Sequence, residues 1–226
     1  MNIKTAYLYL VDKLNKLSSN FSQNLPYQVA ARAINEAQYY WLDERLKTEE
    51  INKTVQRETQ FLVVPSIPLV DSETDSYIEY KLPDDYYHYS MLDVVAINGS
   101  CKFTLNVNLI ENSNVSTYLQ DEMTKPDYDW EQSFCTVRHG KLAFYKDQTP
   151  NYGIDSLVLF YYRKPKLVDI ASGHLNETGL LSTDVDLEFS ESSSYEILNI
   201  AAKILAGNIN DQGRFQYNEQ LSQEYK

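Results

Sequence analysis

Glycine and proline number only seven each in 226 residues, cysteine two and histidine three, and each scarcity narrows the chemistry available. Scattered glycines form neither a GxxxxGK[ST] nor a GxGxxG loop, so nothing is built to cradle a nucleotide phosphate. No GxSxG elbow sets up a serine nucleophile. His88, His139 and His174 lie in unrelated stretches rather than in a convergent N/S ligand set, so no zinc site is expected. His139 reads as a turn residue. Cys101 and Cys135 sit in no CxxC spacing and are expected to be two reduced, buried thiols. No apolar run approaches the roughly 18 residues of a membrane span. Met1-Asn2-Ile3-Lys4-Thr5 lacks the hydrophobic core of a secretion signal, so synthesis and residence in a cytoplasm are expected.

What is present is ordinary globular material with two biases. Apolar residues make up 43% and charged residues 23%, which supports a folded core rather than disorder. The net charge of −12 repels phosphate backbones and anionic membranes, which disfavours sequence-specific nucleic-acid binding and membrane docking. The same surface suits a passage through which nucleic acid slides without sticking. Nineteen tyrosines supply wide contact area at low rotamer cost, a property of protein interfaces, although an AT-rich genome also accumulates tyrosine codons.

Periodicity divides the chain. Ile3, Tyr7, Leu10, Leu14 and Leu17 form one helical face, and Ala30, Ala33, Ile34, Ala37, Tyr40 and Trp41 form another after Pro26. From Val55 the period shortens to two: Thr59, Phe61 and Val63 alternate with Gln60, Leu62 and Val64, predicting a strand. Ile78, Tyr80 and Leu82 define a half-buried strand, and Leu82-Pro83-Asp84-Asp85-Tyr86 a turn. Asn98-Gly99 predicts a hairpin between 91–97 and 101–109, and His139-Gly140 a second within 136–145. Ser113 is placed to cap a short helix. Leu157 to Tyr162, apolar on both faces, predicts a central strand. Ser193 and Glu196 spell a capping box before Ile197, Leu198, Ala201, Ile204 and Leu205. That last helix is apolar most of the way round and must be buried on several sides, with the N-terminal helices as its natural partners.

Candidate chemistry is sparse. Asp127, Asp129 and Glu131, like Asp184, Asp186 and Glu188, recur every second residue, but neither trio has the Gly turn and distal Glu of a calcium loop. Both are read as solvated faces, and no metal or cofactor is expected. Asp84 and Asp85 are turn residues first; a carboxylate hydrolase using them with Glu188 has no supporting signature. The segment 208–226 is thinly apolar, and Arg214, Phe215, Tyr217, Leu221 and Tyr225 are candidate anchors for an arm that orders on a partner.

Three of these stretches carry a family likeness. Leu82-Pro83-Asp84-Asp85-Tyr86-Tyr87 resembles a Leu-Pro-x-Asp-aromatic turn, Leu159-Phe160-Tyr161-Tyr162-Arg163-Lys164-Pro165 a strand ending in Tyr-x-Arg-x-Pro, and Asp186-Leu187-Glu188-Phe189 with the capped helix, Asn210-Asp211 and Arg214 a closing segment. In this order they resemble the head-to-tail connectors of tailed bacteriophages, the neck-ring or adaptor proteins below the portal, most of all in crAss-like podoviruses. The resemblance implies a virion protein forming a ring of twelve copies that docks on the portal through a C-terminal arm, seats the next tail or neck protein and lines the DNA passage. The expected fold is α+β: a helical layer over 1–54, an antiparallel β-rich insertion over 55–189, a packing helix over 190–207 (Ile197, Ala201, Ile204 and Leu205), and an arm over 208–226. The alternative is a glycan- or surface-binding β module of a phage tail.

Overall fold

The computed structural model describes residues 1–15, 25–47, 53–147, 152–175 and 179–208. These form helices α1 Ile3–Asn15, α2 Tyr27–Leu46 and α3 Lys53–Thr59, then strands β1 Val63–Ser66, β2 Leu69–Glu73, β3 Tyr77–Lys81, β4 Tyr86–Asn98 and β5 Cys101–Leu109. Helix α4 Val115–Gln120, strands β6 Gln132–Arg138, β7 Lys141–Tyr145 and β8 Tyr152–Arg163, and helix α5 Glu191–Asn208 follow. The chain divides into two compact units, one of residues 1–60 with 165–226 and the other Phe61–Lys164.

In the first unit α5 packs against α2 and α1. Ile3, Ala6, Leu10 and Leu14 of α1 are buried, as are Ala30, Ala33, Ile34, Ala37 and Trp41 of α2. The alanines let the α5 backbone come close through its own buried Ala201 and Ala202, flanked by Ile197, Leu198 and Leu205. Ile204 is only half-buried. Tyr40, expected on the buried face, is exposed and donates to Glu44. The cap of α5 is also three residues earlier than the capping box implied. Ser190 Oγ accepts from Ser193 N–H at 3.3 Å, while Glu196 accepts from Trp41 Nε1 at 2.6 Å and Arg45 Nη2 at 2.8 Å. Glu196 is thus drawn away from its own helix start by stronger charged and indole donors on α2.

Residues 165–189 were expected with the strands but belong to the helical unit. The cause is a set of hydrogen bonds. Asn35 of α2 receives Val168 N–H at 2.8 Å and donates to Val168 O at 3.1 Å. Asp186 caps α1 by accepting from Ile3 N–H at 2.8 Å, and Leu187 N–H donates to Met1 O at 3.1 Å.

The second unit is one eight-stranded sheet in the order β1-β8-β4-β5-β6-β7-β3-β2. Its edge strands β1 and β2 are separated in sequence only by Ile67 and Pro68. A flat sheet would hold them about 34 Å apart, at about 4.8 Å per strand. Two linking residues reach only about 10 Å, so the sheet curls, barrel-like, and brings its edges near each other at that link, although β1 and β2 share no ladder. Inside lie Leu92, Val94, Ala96, Leu105, Leu142, Phe144 and Leu159, all buried. On the outer side, α4 residues Val115 and Tyr118 cover Phe134 and Tyr145.

Four local expectations change. Residues 53–59 are helical, because Val55, Thr59 and Leu62 are buried at helical spacing and outweigh the short alternation that suggested a strand. The sheet is not wholly antiparallel: β5 and β6 run parallel, joined through α4, since a parallel pair needs a long crossover. The first hairpin turns at Gly99-Ser100, one residue later than expected, with Gly99 at φ 61° supplying the left-handed backbone. The second turns at His139-Gly140, both at positive φ, as its sequence suggested. Ser113 does not cap α4; its hydroxyl donates to Glu111.

Ile197→Ala should cost about 2–5 kcal/mol, the range for emptying a close-packed aliphatic site, whereas Ile204→Ala at its half-buried position should cost clearly less. Urea unfolding of both variants gives the comparison.

Candidate functional site

Two of the stretches that suggested a family meet in space. The turn at 83–86 closes through Tyr86 N–H to Pro83 O at 3.0 Å. It is locked onto the end of β8: Tyr161 OH donates to Asp85 Oδ1 at 2.8 Å, Lys164 N–H to Asp85 O at 2.8 Å, and Lys164 Nζ to Asp84 O at 3.0 Å. The Tyr86 and Tyr161 rings stack at 5.7 Å. Burial, then the bond to Asp85, pushes the Tyr161 hydroxyl up to about 12. Asp85 therefore organises the barrel end.

Asp129, Glu131, Asp184 and Asp186 of the acidic trios are exposed, as a solvated face implies, but all of the trio carboxylates except that of Glu131 also hold a backbone or side-chain donor. Asp184 accepts from Ala171 N–H and pairs with Lys4, each at 2.8 Å, Asp186 caps α1, and Glu188 accepts from Lys166 N–H at 2.7 Å. Lys4, then the Ala171 amide, lowers the Asp184 carboxyl below its usual range. In the other trio, Asp127 Oδ1 accepts from Asp129 N–H at 3.0 Å and Trp130 N–H at 3.2 Å, and Tyr152 OH donates to Asp129. The described residues contain no group of three or more His, Cys, Asp or Glu able to hold a metal ion.

One constellation escaped sequence reasoning. Ser172 Oγ lies 2.6 Å from His174 Nδ1, and His174 Nε2 lies 3.4 Å from the buried Asp169 Oδ1. A hydroxyl, an imidazole and a carboxylate in series are the parts of a proton relay. Here the carboxylate is already occupied: Asp169 accepts from Ile170 N–H at 2.8 Å and Thr183 N–H at 3.2 Å, and Ser172 N–H donates to Ser182 Oγ at 3.1 Å. These bonds close the 169–185 loop around Asp169, and the serine and histidine are neighbours because Gly173 turns the chain at φ 75°. The cluster is best accounted for as a loop clasp.

Charge concentrates at one further place. Glu79 on β3 receives Arg138 Nη2 at 2.6 Å, Ser72 Oγ at 2.9 Å and Lys141 Nζ at 3.2 Å, and Lys141 also pairs with Asp71 at 2.6 Å. Arg138 foremost, then Ser72 and Lys141, holds the Glu79 carboxyl down at about 2. The barrel interior holds Cys135, whose thiol is pushed up to about 12 by burial; Cys101, expected buried, is exposed beside the hairpin tip. A further feature is Trp130, standing out on the loop before β6.

Of the expected site residues, Arg214, Phe215, Tyr217, Leu221 and Tyr225 lie outside the described residues. Ile197, Ala201 and Leu205 are brought together in the α5 interface, with Ile204 at its margin. No described helix is long and apolar enough to cross a membrane. The chain matches no protein-family model and no curated protein.

Two outcomes follow from these contacts. Glu79 is stabilised as a carboxylate from above its ordinary pKa of 4.5, and that stability is lost as pH falls toward about 2. Glu79→Gln should therefore lower stability at neutral pH and flatten the acid limb of a melting-temperature profile between pH 5 and 2 (an interval set by those two values). Asp169→Ala, which strands two loop amides, should leave the circular dichroism of the helices unchanged while speeding proteolysis within residues 170–183.

Proposed function

We propose that this protein is a structural subunit of a phage neck ring that links the portal to the tail around the DNA passage. In this reading the first and last helices form the ring wall, a helical base shared between neighbouring copies. The observation that carries it is apolar surface left over on the helices of the first unit. Leu8 of α1, Tyr27, Val29 and Tyr40 of α2 and Tyr195 of α5 are exposed, and Ile200 and Ile204 of α5 are half-buried. A helical layer that buries its seam and still presents this much apolar and aromatic area is suited to a second copy. The joining of the 82–87 and 159–165 stretches supports the reading as well, since the residues that carry the family likeness build one structural element. The net charge of −12 fits a conduit for DNA.

Assembly is tested by mass. A twelve-copy ring is about 310 kDa by multiplication of the 26.2 kDa chain, and a trimeric glycan-binding module is near 80 kDa. Light scattering and negative-stain imaging with the portal protein present should give rings; monomers indifferent to the portal would sink the reading. Deleting residues 208–226 should leave the melting temperature unchanged and abolish portal attachment. Loss of soluble protein on that truncation would mean the segment is core.

A further inference from the structure

The strand register gives the barrel two unlike ends. At one, Arg163 pairs with Tyr86 and Leu82 N–H bonds Gly140 O of the β6–β7 hairpin. At the other, Tyr152 pairs with Asn98, and its hydroxyl holds Asp129. That second end carries Trp130, which is 73% exposed.

Exposure of a tryptophan matters when the backbone beneath it is fixed, because a rigid indole binds with little entropy left to lose. Here it is fixed from both sides. Asp127 and Gln132 exchange two backbone hydrogen bonds of 3.0 Å, Asp127 Oδ1 takes the Trp130 amide, and Glu131 O receives Asn106 N–H from β5 at 2.7 Å. Next to it, Gln132 Nε2 donates to Met123 O at 3.0 Å, bringing the 70%-exposed Met123 to the same loop pair. Thr124 Oγ1 donates to Tyr118 O, which folds this segment back on α4 and its exposed Leu119.

The surrounding charge is one-sided. Around this loop Asp121, Glu122, Asp127, Asp129 and Glu131 outnumber Lys125, and Lys102 and Lys146 of the same end are already paired with Asp155 and Glu73. Two such ends would repel, which argues against a second copy meeting this surface with its own. A sugar ring also stacks on an exposed indole, so oligosaccharides are among the probes. An apolar anchor inside an acidic rim matches an apolar pocket rimmed by lysine and arginine.

We infer that the Trp130 end of the barrel docks a different protein, one offering an apolar pocket with a basic rim. It rests on the neck-ring reading only for where that protein is sought, among the products of the genes beside this one. Each is co-expressed and purified with the full chain. The only other tryptophan, Trp41, is 3% exposed, so a blue shift in emission on mixing reports Trp130 leaving water. Trp130→Ala, with its melting temperature checked against wild type, should weaken binding about tenfold or more, and Trp130→Tyr should recover part of it. Glu122→Lys with Glu131→Lys should weaken binding and make it less sensitive to salt. The inference is overturned if wild type binds none of these proteins, if Trp130→Ala binds as well as wild type, if a photocrosslinker at position 130 joins two copies of this chain, or if chitotetraose or maltopentaose produces the blue shift. Ring formation is read separately by mass and can fail or succeed independently of every one of these outcomes.

Discussion

The barrel unit depends on a single short tether. Because Ile67 and Pro68 are all that separates the first edge strand from the second, the sheet has no freedom to lie open. Curling turns one face wholly inward, and the inward face selects Leu92, Val94, Ala96, Leu105, Leu142 and Leu159 for the interior. It also turns the strand ends into two rims, where the loops gather. The Asp85 lock on Tyr161 and the Asp127 turn beneath Trp130 belong to opposite rims, so each can be built of polar residues without disturbing the apolar lumen.

In the helical unit, the comparable constraint is the α2–α5 seam. Small residues permit close approach, one charged cluster crosses the seam, and a further α2 side chain ties down the chain before α5. Trp41 and Arg45 converge on Glu196, and Asn35 holds the backbone of Val168. The described residues between 165 and 190 contain little regular structure, yet they are tied down by side-chain carboxylates and amides. Irregular chain can stay ordered when its amides find fixed acceptors, and here Asp169 takes two and Asp184, Asp186 and Glu188 take one each.

Much of this was legible in the sequence where local physics decides. The helix stripes of α1, α2 and α5, the glycine-marked hairpins and the doubly apolar β8 follow from periodicity and turn chemistry. What was not legible is where two local codes overlap or where the partner is remote. Val55, Thr59 and Leu62 carry a helical period that a brief alternation masked. The parallel pairing of β5 with β6 is fixed by the path of residues 110–131, which no window of sequence contains. Asp184, Asp186 and Glu188 repeat like an exposed strand face, and their amide donors, Ala171, Ile3 and Lys166, are far away along the chain. Ser172, His174 and Asp169 likewise look unrelated until a loop closes on Asp169. Trp130 gave a weak signal, an aromatic among acids, that reads as interface only once its exposure and fixed backbone are known.

The pairing of β1 with β8 has a consequence for how such a chain can change. Val63 sits opposite Tyr162, so the barrel is entered and left at adjacent positions, about 5 Å apart. A module whose two ends are clasped side by side can be exchanged, enlarged or removed with a few bridging residues, leaving the spacing of the helical unit intact. The barrel is in that sense a cassette, open to diversification while the helices keep a constant frame.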